Sequence, residues 1–231
     1  MSITIKSTRK NLERYASEVI ENCIRKVLKK QGKAIFAIPG GRSVSEIFKN
    51  LIGISIPWEK VHLFMVDERM VPLDDTESNF RIAKESFIDL LISNNSLPKE
   101  NVHPFIINTS ETDKGLSQYE KEFKQQGGKA DLVLLSAGED GHVASLFPNH
   151  HSIKNESELF ITVNDSPKSP KQRITMSRSF IQRAEYVLVF FFGERKRNAY
   201  NLFTSDDADS ISCPAKLALS VKNSFVFTDI D

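Results

Sequence analysis

Little net charge is available to this chain: 31 Lys and Arg oppose 30 Asp and Glu, leaving +1. A balance that close to neutral removes the electrostatic basis for binding nucleic acid or an anionic membrane. An anionic ligand has to be held by a few placed cations rather than by a basic face. Cysteine is scarce too. Cys23 and Cys213 stand far apart and match no metal-ligand spacing, so no disulfide framework is expected and both read as reduced thiols. Long apolar runs are missing. The longest, YVLVFFFG from Tyr186 to Gly193, is too short to span a bilayer and suits a buried strand. The segment MSITIKSTRKNLERYASEVI offers no apolar run suited to a signal peptide. There is no internal repeat, low-complexity tract or clear linker, and no G-x-G-x-x-G, Walker lysine or zinc spacing. Neither a metal nor a dinucleotide or NTP cofactor is therefore indicated. The expectation is a soluble, cytoplasmic protein of one domain over residues 1–231, a monomer or weak homo-oligomer without a nucleic-acid or membrane partner.

What is present is a regular alternation. Between Asn11 and Lys30 the residues Leu12, Tyr15, Ala16, Val19, Ile20, Cys23, Ile24 and Val27 recur at helical spacing. Short apolar runs read as buried strands: AIFAI from Ala34, VHLFMV from Val61 and DLVLLSAG from Asp131, then YVLVFFFG and SFVFTD. VHPFII, LFITV and RITM are weaker strand signals, and helices are predicted over 78–92, 115–126, 179–183 and 194–203. Apolar strands alternating with amphipathic helices predict an α/β fold, a mostly parallel sheet with helices on both faces. There is room for a small insertion between Pro148 and Arg173.

In such sheets ligands bind beyond the carboxyl ends of the strands, and several unusual polar segments follow strands directly. Pro39-Gly40-Gly41-Arg42-Ser43 joins a strand to a helix, where backbone N–H groups favour an anion, although a simple turn would use the same residues. Asp67-Glu68-Arg69 follows VHLFMV. It is either a solvated charge cluster or a place where Arg69 offers paired donors to a phosphate. Ser78 and Asn79 read best as helix caps. Gly138-Glu139-Asp140-Gly141-His142 places acids beside a histidine in a glycine-flanked loop, a pattern suited to general-base work. The other histidines gain little support. His62 lies in a strand pattern, His103 after a loop, and His150-His151 in a polar stretch without acidic neighbours. Arg173 in RITM and Lys196 in GERK are cations that, taken singly, are ordinary surface residues.

Taken in order, IPGGRSV, PWEKVHLFMVDERMVPLDDTESNF, DLVLLSAGEDGHVASLFP, RITMS, GERK and Cys213-Pro214-Ala215 resemble the 6-phosphogluconolactonases of the glucosamine-6-phosphate isomerase/deaminase superfamily. The resemblance extends over roughly residues 10–225. It implies a Rossmann-like fold of the NagB/RpiA/CoA transferase-like kind. The implied activity is hydrolysis of 6-phospho-D-glucono-1,5-lactone to 6-phosphogluconate, in the oxidative pentose phosphate pathway, without metal or organic cofactor. It also implies that His142 activates water and that Asp140 positions the histidine. Arg69, Lys196 and the Gly40-Gly41 backbone would hold the 6-phosphate, with Asp67, Arg42, Ser43 and Arg173 as further substrate contacts. Two positions depart from the family pattern: Ser136 stands where Gly is usual, and Pro39 where Ser precedes Gly-Gly.

Two rival readings share parts of this pattern. A glucosamine-6-phosphate deaminase resembles this chain in fold, phosphate cradle and DGH triplet. It needs a further acid in a DGHIAFNEP-like context, where this chain has DGHVASLFP with Phe147 at the acid position. A sugar-phosphate-binding regulator would carry a DNA-binding segment, for which no helix-turn-helix extension is evident.

Overall fold

A computed structural model describes residues 2–41 and 43–231. The first half runs β1 (Ser2–Lys6), α1 (Arg9–Gln31), β2 (Ala34–Ile38), α2 (Ser45–Ile52), β3 (Val61–Met65), β4 (Asp67–Arg69), α3 (Asn79–Ala83) and α4 (Asp89–Ser93). Then come β5 (Val102–His103), α5 (Leu116–Gln125), β6 (Leu132–Ser136), α6 (His151–Lys154), β7 (Phe160–Val163), β8 (Arg173–Met176), α7 (Arg178–Gln182), β9 (Tyr186–Phe191), α8 (Arg197–Thr204) and β10 (Asn223–Thr228).

Seven strands form one sheet in the order β1-β10-β9-β6-β2-β3-β5, and every pairing in it is parallel. Side chains alternate between its faces. Ile35, Ala37, Val133, Leu135, Val187 and Val189 enter one apolar cluster, with α5, α7 and α8. Ala34, Phe36, Ile38, Leu132, Leu134 and Leu188 enter another, against α1 and α2. Burial on both faces is why these strands read as continuous apolar runs rather than alternating ones. No helix of the described residues is long and apolar enough to cross a membrane.

Several local expectations change. The N-terminal residues contribute β1, an edge strand that among the described residues pairs with β10 alone. Its exposed, alternating SITIK pattern is too short and polar to stand out. VHPFII shrinks to the two residues of β5. The helix expected over 78–92 is interrupted by a π turn at Lys84–Ile88 between α3 and α4. Asp67-Glu68-Arg69, read as a charged end to a strand, is itself a strand. It pairs antiparallel with β8, and β8 pairs with β7, in a separate three-stranded sheet. The segment between Pro148 and Arg173 thus supplies β7 to a layer shared with residues from far earlier in the chain.

Chain order fixes where a ligand fits. From β2 the sheet grows through β3 to β5 on one side, while on the other side lie β6, β9 and β10. The connections leave β2 and β6 in opposite directions, which opens a crevice at their carboxyl ends.

Candidate active site

A cavity of about 340 Å³ occupies that crevice. Gly40, Asp67, Arg69, His142, Lys168 and Lys196 line it, and Gly41, Ser43, Asn79, Ser136, Gly138, Glu139 and Arg173 complete its polar wall. The loops after β2, β6 and β9 and the small sheet therefore bring together the sequence-selected residues. Asp140 stands directly behind His142, and Arg42 lies outside the described residues.

The loop after β6 folds back on itself. Gly138 N–H donates to the His142 carbonyl (2.8 Å), and Gly141 N–H to that of Gly138 (3.1 Å). This closure presses the imidazole against the Gly138 backbone: a Cβ there would lie 2.0 Å from His142 Cε1 and Nδ1. Any other residue would drive the ring out of place. Cys213-Pro214-Ala215 supports the loop from outside, with Ala215 N–H donating to the Gly141 carbonyl (2.9 Å).

His142 Nδ1 lies 2.5 Å from Asp140 Oδ1, which also accepts from the His142 backbone N–H at 3.2 Å. Burial by itself raises the Asp140 carboxyl. The hydrogen bond and charge of His142, its backbone N–H and Lys168 outweigh that effect and hold the carboxyl well below the usual carboxylate range. An ionised carboxylate can only accept, so Nδ1 carries the proton and Nε2 presents its lone pair. Among the described residues nothing hydrogen-bonds Nε2. The ring rests on buried Phe147 (centroids 5.0 Å apart, 40° between planes).

Lys168, which the sequence did not single out, completes this group. Its Nζ lies 3.3 Å from Asp140 Oδ2 and 3.4 Å from His142 Nδ1. It sits in a polar Ser-Pro-Lys-Ser-Pro segment with no local signature, and only the folding of that segment over the cavity gives it a role. Arg173, 3 % exposed, holds the segment in place. Its Nε donates to the Pro170 carbonyl (2.9 Å) and its Nη2 to those of Lys168 (3.2 Å) and Ser169 (3.1 Å). Its guanidinium covers Phe147, 5.6 Å from the ring centroid.

The remaining cations differ in how committed they are. Lys196 has no ion-pair partner among the described residues. Burial lowers its ammonium, Glu139 and Asp140 oppose that shift, and Lys168 adds to it. Arg69 Nη1 donates to the Glu77 carbonyl (2.6 Å) and lies 3.8 Å from Glu77 Oε2, while among the described residues its buried Nε has no hydrogen-bond partner. Both therefore retain donors for an anion. Gly40 faces Asn79 so closely that a Cβ would fall 2.1 Å from Asn79 Oδ1. Ser43 Oγ and Ser136 Oγ lie 2.7 Å apart, so the serine that departs from the family pattern ties the Gly-Gly turn to the end of β6.

Two buried acids, Asp67 at the cavity wall and Glu68 behind it, tie the surrounding segments together. Asp67 accepts from Ser145 Oγ (2.7 Å) and Asn79 Nδ2 (3.3 Å), linking the small sheet to the loop after His142. Glu68 accepts from the N–H groups of Arg69, Asn79 and Phe80 (each 2.7 Å) and from Ser78 Oγ (3.1 Å). Burial raises its carboxyl, and the three N–H donors work against that rise. Ser78 caps α3 as expected, its Oγ accepting from Arg81 N–H (3.1 Å).

Comparison with known proteins gives a consistent picture. Residues 7–227 match the family model described as glucosamine-6-phosphate isomerases/6-phosphogluconolactonase. The chain is 30% identical to a 6-phosphogluconolactonase of Borreliella burgdorferi over 193 residues, 84% of this chain and 82% of that protein. It is 34% identical to a probable 6-phosphogluconolactonase 2 of rice, Oryza sativa, over 224 residues, 90% of this chain and 76% of the relative. Its fold is similar to the crystal structure of 6-phosphogluconolactonase from Thermotoga maritima, with a TM-score of 0.82, 27% identity and 99% of both chains covered.

Proposed function

Because the chain belongs to the glucosamine-6-phosphate isomerase/6-phosphogluconolactonase family, we propose that it hydrolyses 6-phospho-D-glucono-1,5-lactone to 6-phosphogluconate with His142 as general base. The family description spans two chemistries, and the observation that favours the lactonase is Phe147. Where the deaminase needs an acid, this chain has a buried ring packed against His142 and Arg173. The relatives at 30% and 34% identity described above are a 6-phosphogluconolactonase and a probable 6-phosphogluconolactonase.

The reaction follows from the tautomer. His142 Nε2 takes a proton from water as its oxygen adds to the lactone carbonyl carbon. The tetrahedral oxyanion collapses by breaking the bond to the ring oxygen, and the imidazolium returns its proton to that oxygen. The new carboxylic acid then ionises to solvent. Asp140 favours the imidazolium as it forms and keeps Nε2 aimed at the cavity. Lys168 places positive charge beside the base, where the oxyanion develops. Arg69, Lys196 and the N–H groups of Gly40 and Gly41 hold the 6-phosphate, with Ser43 and Arg42 as further contacts, while Asp67, an acceptor at the cavity wall, takes a sugar hydroxyl. Arg173 contributes chiefly by fixing the Lys168 segment. We read the chain as one domain acting in the cytoplasm as a monomer or weak homo-oligomer, and its near-neutral charge gives no electrostatic basis for a nucleic-acid or anionic-membrane partner.

His142→Gln tests the assignment of the base. Turnover should fall by about 100- to 10,000-fold, while binding of 6-phosphogluconate, measured by calorimetry, stays within about twofold of wild type. Unchanged turnover would remove His142 from the mechanism.

A further inference from the structure

We infer that Ser136 is a positioning residue for the phosphate end of the substrate: its hydroxyl donates to Ser43 Oγ and so turns the Ser43 proton toward the 6-phosphate. This role presupposes the lactonase reading above, and it falls to a position where the family pattern has Gly and this chain has a side chain.

Strand alternation places Ser136. Leu132 and Leu134 enter the apolar cluster on the α1 and α2 side of the sheet. Two residues on, Ser136 is the last residue of β6 and leaves the strand on that same face. It is half-buried, beyond the apolar layer, where the turn before α2 passes the strand ends. There its Oγ lies 2.7 Å from Ser43 Oγ, and both residues line the cavity.

The Ser43 backbone is held from the side away from the cavity. Its carbonyl accepts from Arg9 Nη2 (3.1 Å), and Arg9 is fixed in turn by Glu13 (2.7 Å) and by the face of Phe192, 5.0 Å from the ring centroid. Val44 N–H donates to the Gly41 carbonyl (3.4 Å) and closes the turn. Ser43 Oγ would lie 3.9 Å from a Cβ on Gly41, so the hydroxyl stands beside the backbone assigned to the phosphate. The remaining freedom is rotation of the hydroxyl itself.

Proton counting gives the direction of the pair. Each hydroxyl has one proton and two lone pairs. The two serines use one proton between them, and among the described residues no acceptor takes the other. A phosphate on the Gly40-Gly41 turn is the acceptor beside Ser43. The Ser43 proton then goes to the ligand, and the Ser43 oxygen accepts from Ser136. Successive hydrogen bonds polarise one another, so a hydroxyl that accepts in this way is also a stronger donor. With Gly at position 136 the Ser43 hydroxyl would have to be ordered on binding.

The test is a double-mutant cycle on Ser43→Ala and Ser136→Ala. It reads 6-phosphogluconate affinity by calorimetry, competitive inhibition by inorganic phosphate, and lactone kinetics corrected for spontaneous opening. Ser136→Ala should weaken 6-phosphogluconate by about fivefold and Ser43→Ala by about tenfold. The double variant should match Ser43→Ala within about twofold, because Ser136 acts only through Ser43. Inhibition by inorganic phosphate should weaken in parallel. The kinetic loss in Ser136→Ala should fall on KM rather than kcat, a split that general loosening of the site would not produce. Unchanged affinity in Ser136→Ala would overturn the proposal. So would a double variant showing the product of the two single losses, or phosphate inhibition untouched by either substitution, which would put the pair on the sugar. Wild type that neither binds 6-phosphogluconate nor hydrolyses the lactone would overturn the lactonase reading, and this role with it, a result distinct from the other three.

Discussion

At the scale of single residues, the contact between Gly138 and the His142 ring is the tightest constraint on the chemistry. A methyl group at position 138 cannot coexist with the ring where it stands. Gly138→Ala should therefore lose activity to an extent approaching that of the histidine variant, with far-UV circular dichroism unchanged. Wild-type turnover would show that the ring need not occupy this position. Lys196 gives a pH prediction. Its ammonium is lowered by burial, so it loses its proton earlier than an ordinary lysine as pH rises. Affinity for 6-phosphogluconate should weaken on the alkaline side below the usual lysine range, and Lys196→Met should remove that dependence, as titration calorimetry can check. The acid–histidine loop was legible in the sequence because its members are contiguous. Lys168 was not, because it gains its partners from a segment at least 26 residues away.

At the scale of elements, β4 shows what patterning misses. A three-residue strand made of Asp, Glu and Arg carries no apolar signal, and its pairing with β8 comes from residues about a hundred positions later. The triplet nonetheless does three separate jobs. Asp67 reaches Ser145, Arg69 faces the cavity, and Glu68 collects four donors at the start of α3. Glu68→Ala would leave buried N–H groups of Asn79 and Phe80 without acceptors. It should destabilise the fold by about 3 kcal/mol, read as a lower urea midpoint at unchanged m-value. A loss below about 0.5 kcal/mol would place the capping of α3 elsewhere. The five apolar runs selected from the sequence all became strands of the parallel sheet, because burial on both faces leaves an unbroken apolar signature.

At the scale of the whole molecule, the sheet order sets both the crevice and the acid limit of stability. The parallel sheet was legible from alternation alone. The position of its crevice was not, because strand order depends on which neighbours pair. On the far side of the sheet from β6, His103 stacks on Phe64 (4.2 Å between centroids, 6° between planes) and lies with its Nε2 3.1 Å from His62 Nδ1. Burial, then the charge of His62, pushes His103 down to about 4, and burial also lowers His62. A folded-state value below the unfolded one means that the unfolded chain binds more protons between the two. Stability should therefore fall as pH drops from about 6.5 to about 4, by up to about 3 kcal/mol from His103. His103→Gln should flatten that limb in urea titrations at stepped pH, and an unchanged slope would assign it to other groups. The cavity at the β2–β6 crevice carries the central claim, and its most direct measurement is the decay of freshly generated 6-phospho-D-glucono-1,5-lactone, corrected for spontaneous opening. Catalytic amounts of the protein should accelerate decay in proportion to their concentration, with the excess rate lost in His142→Gln; decay that stays at the spontaneous rate would contradict the account.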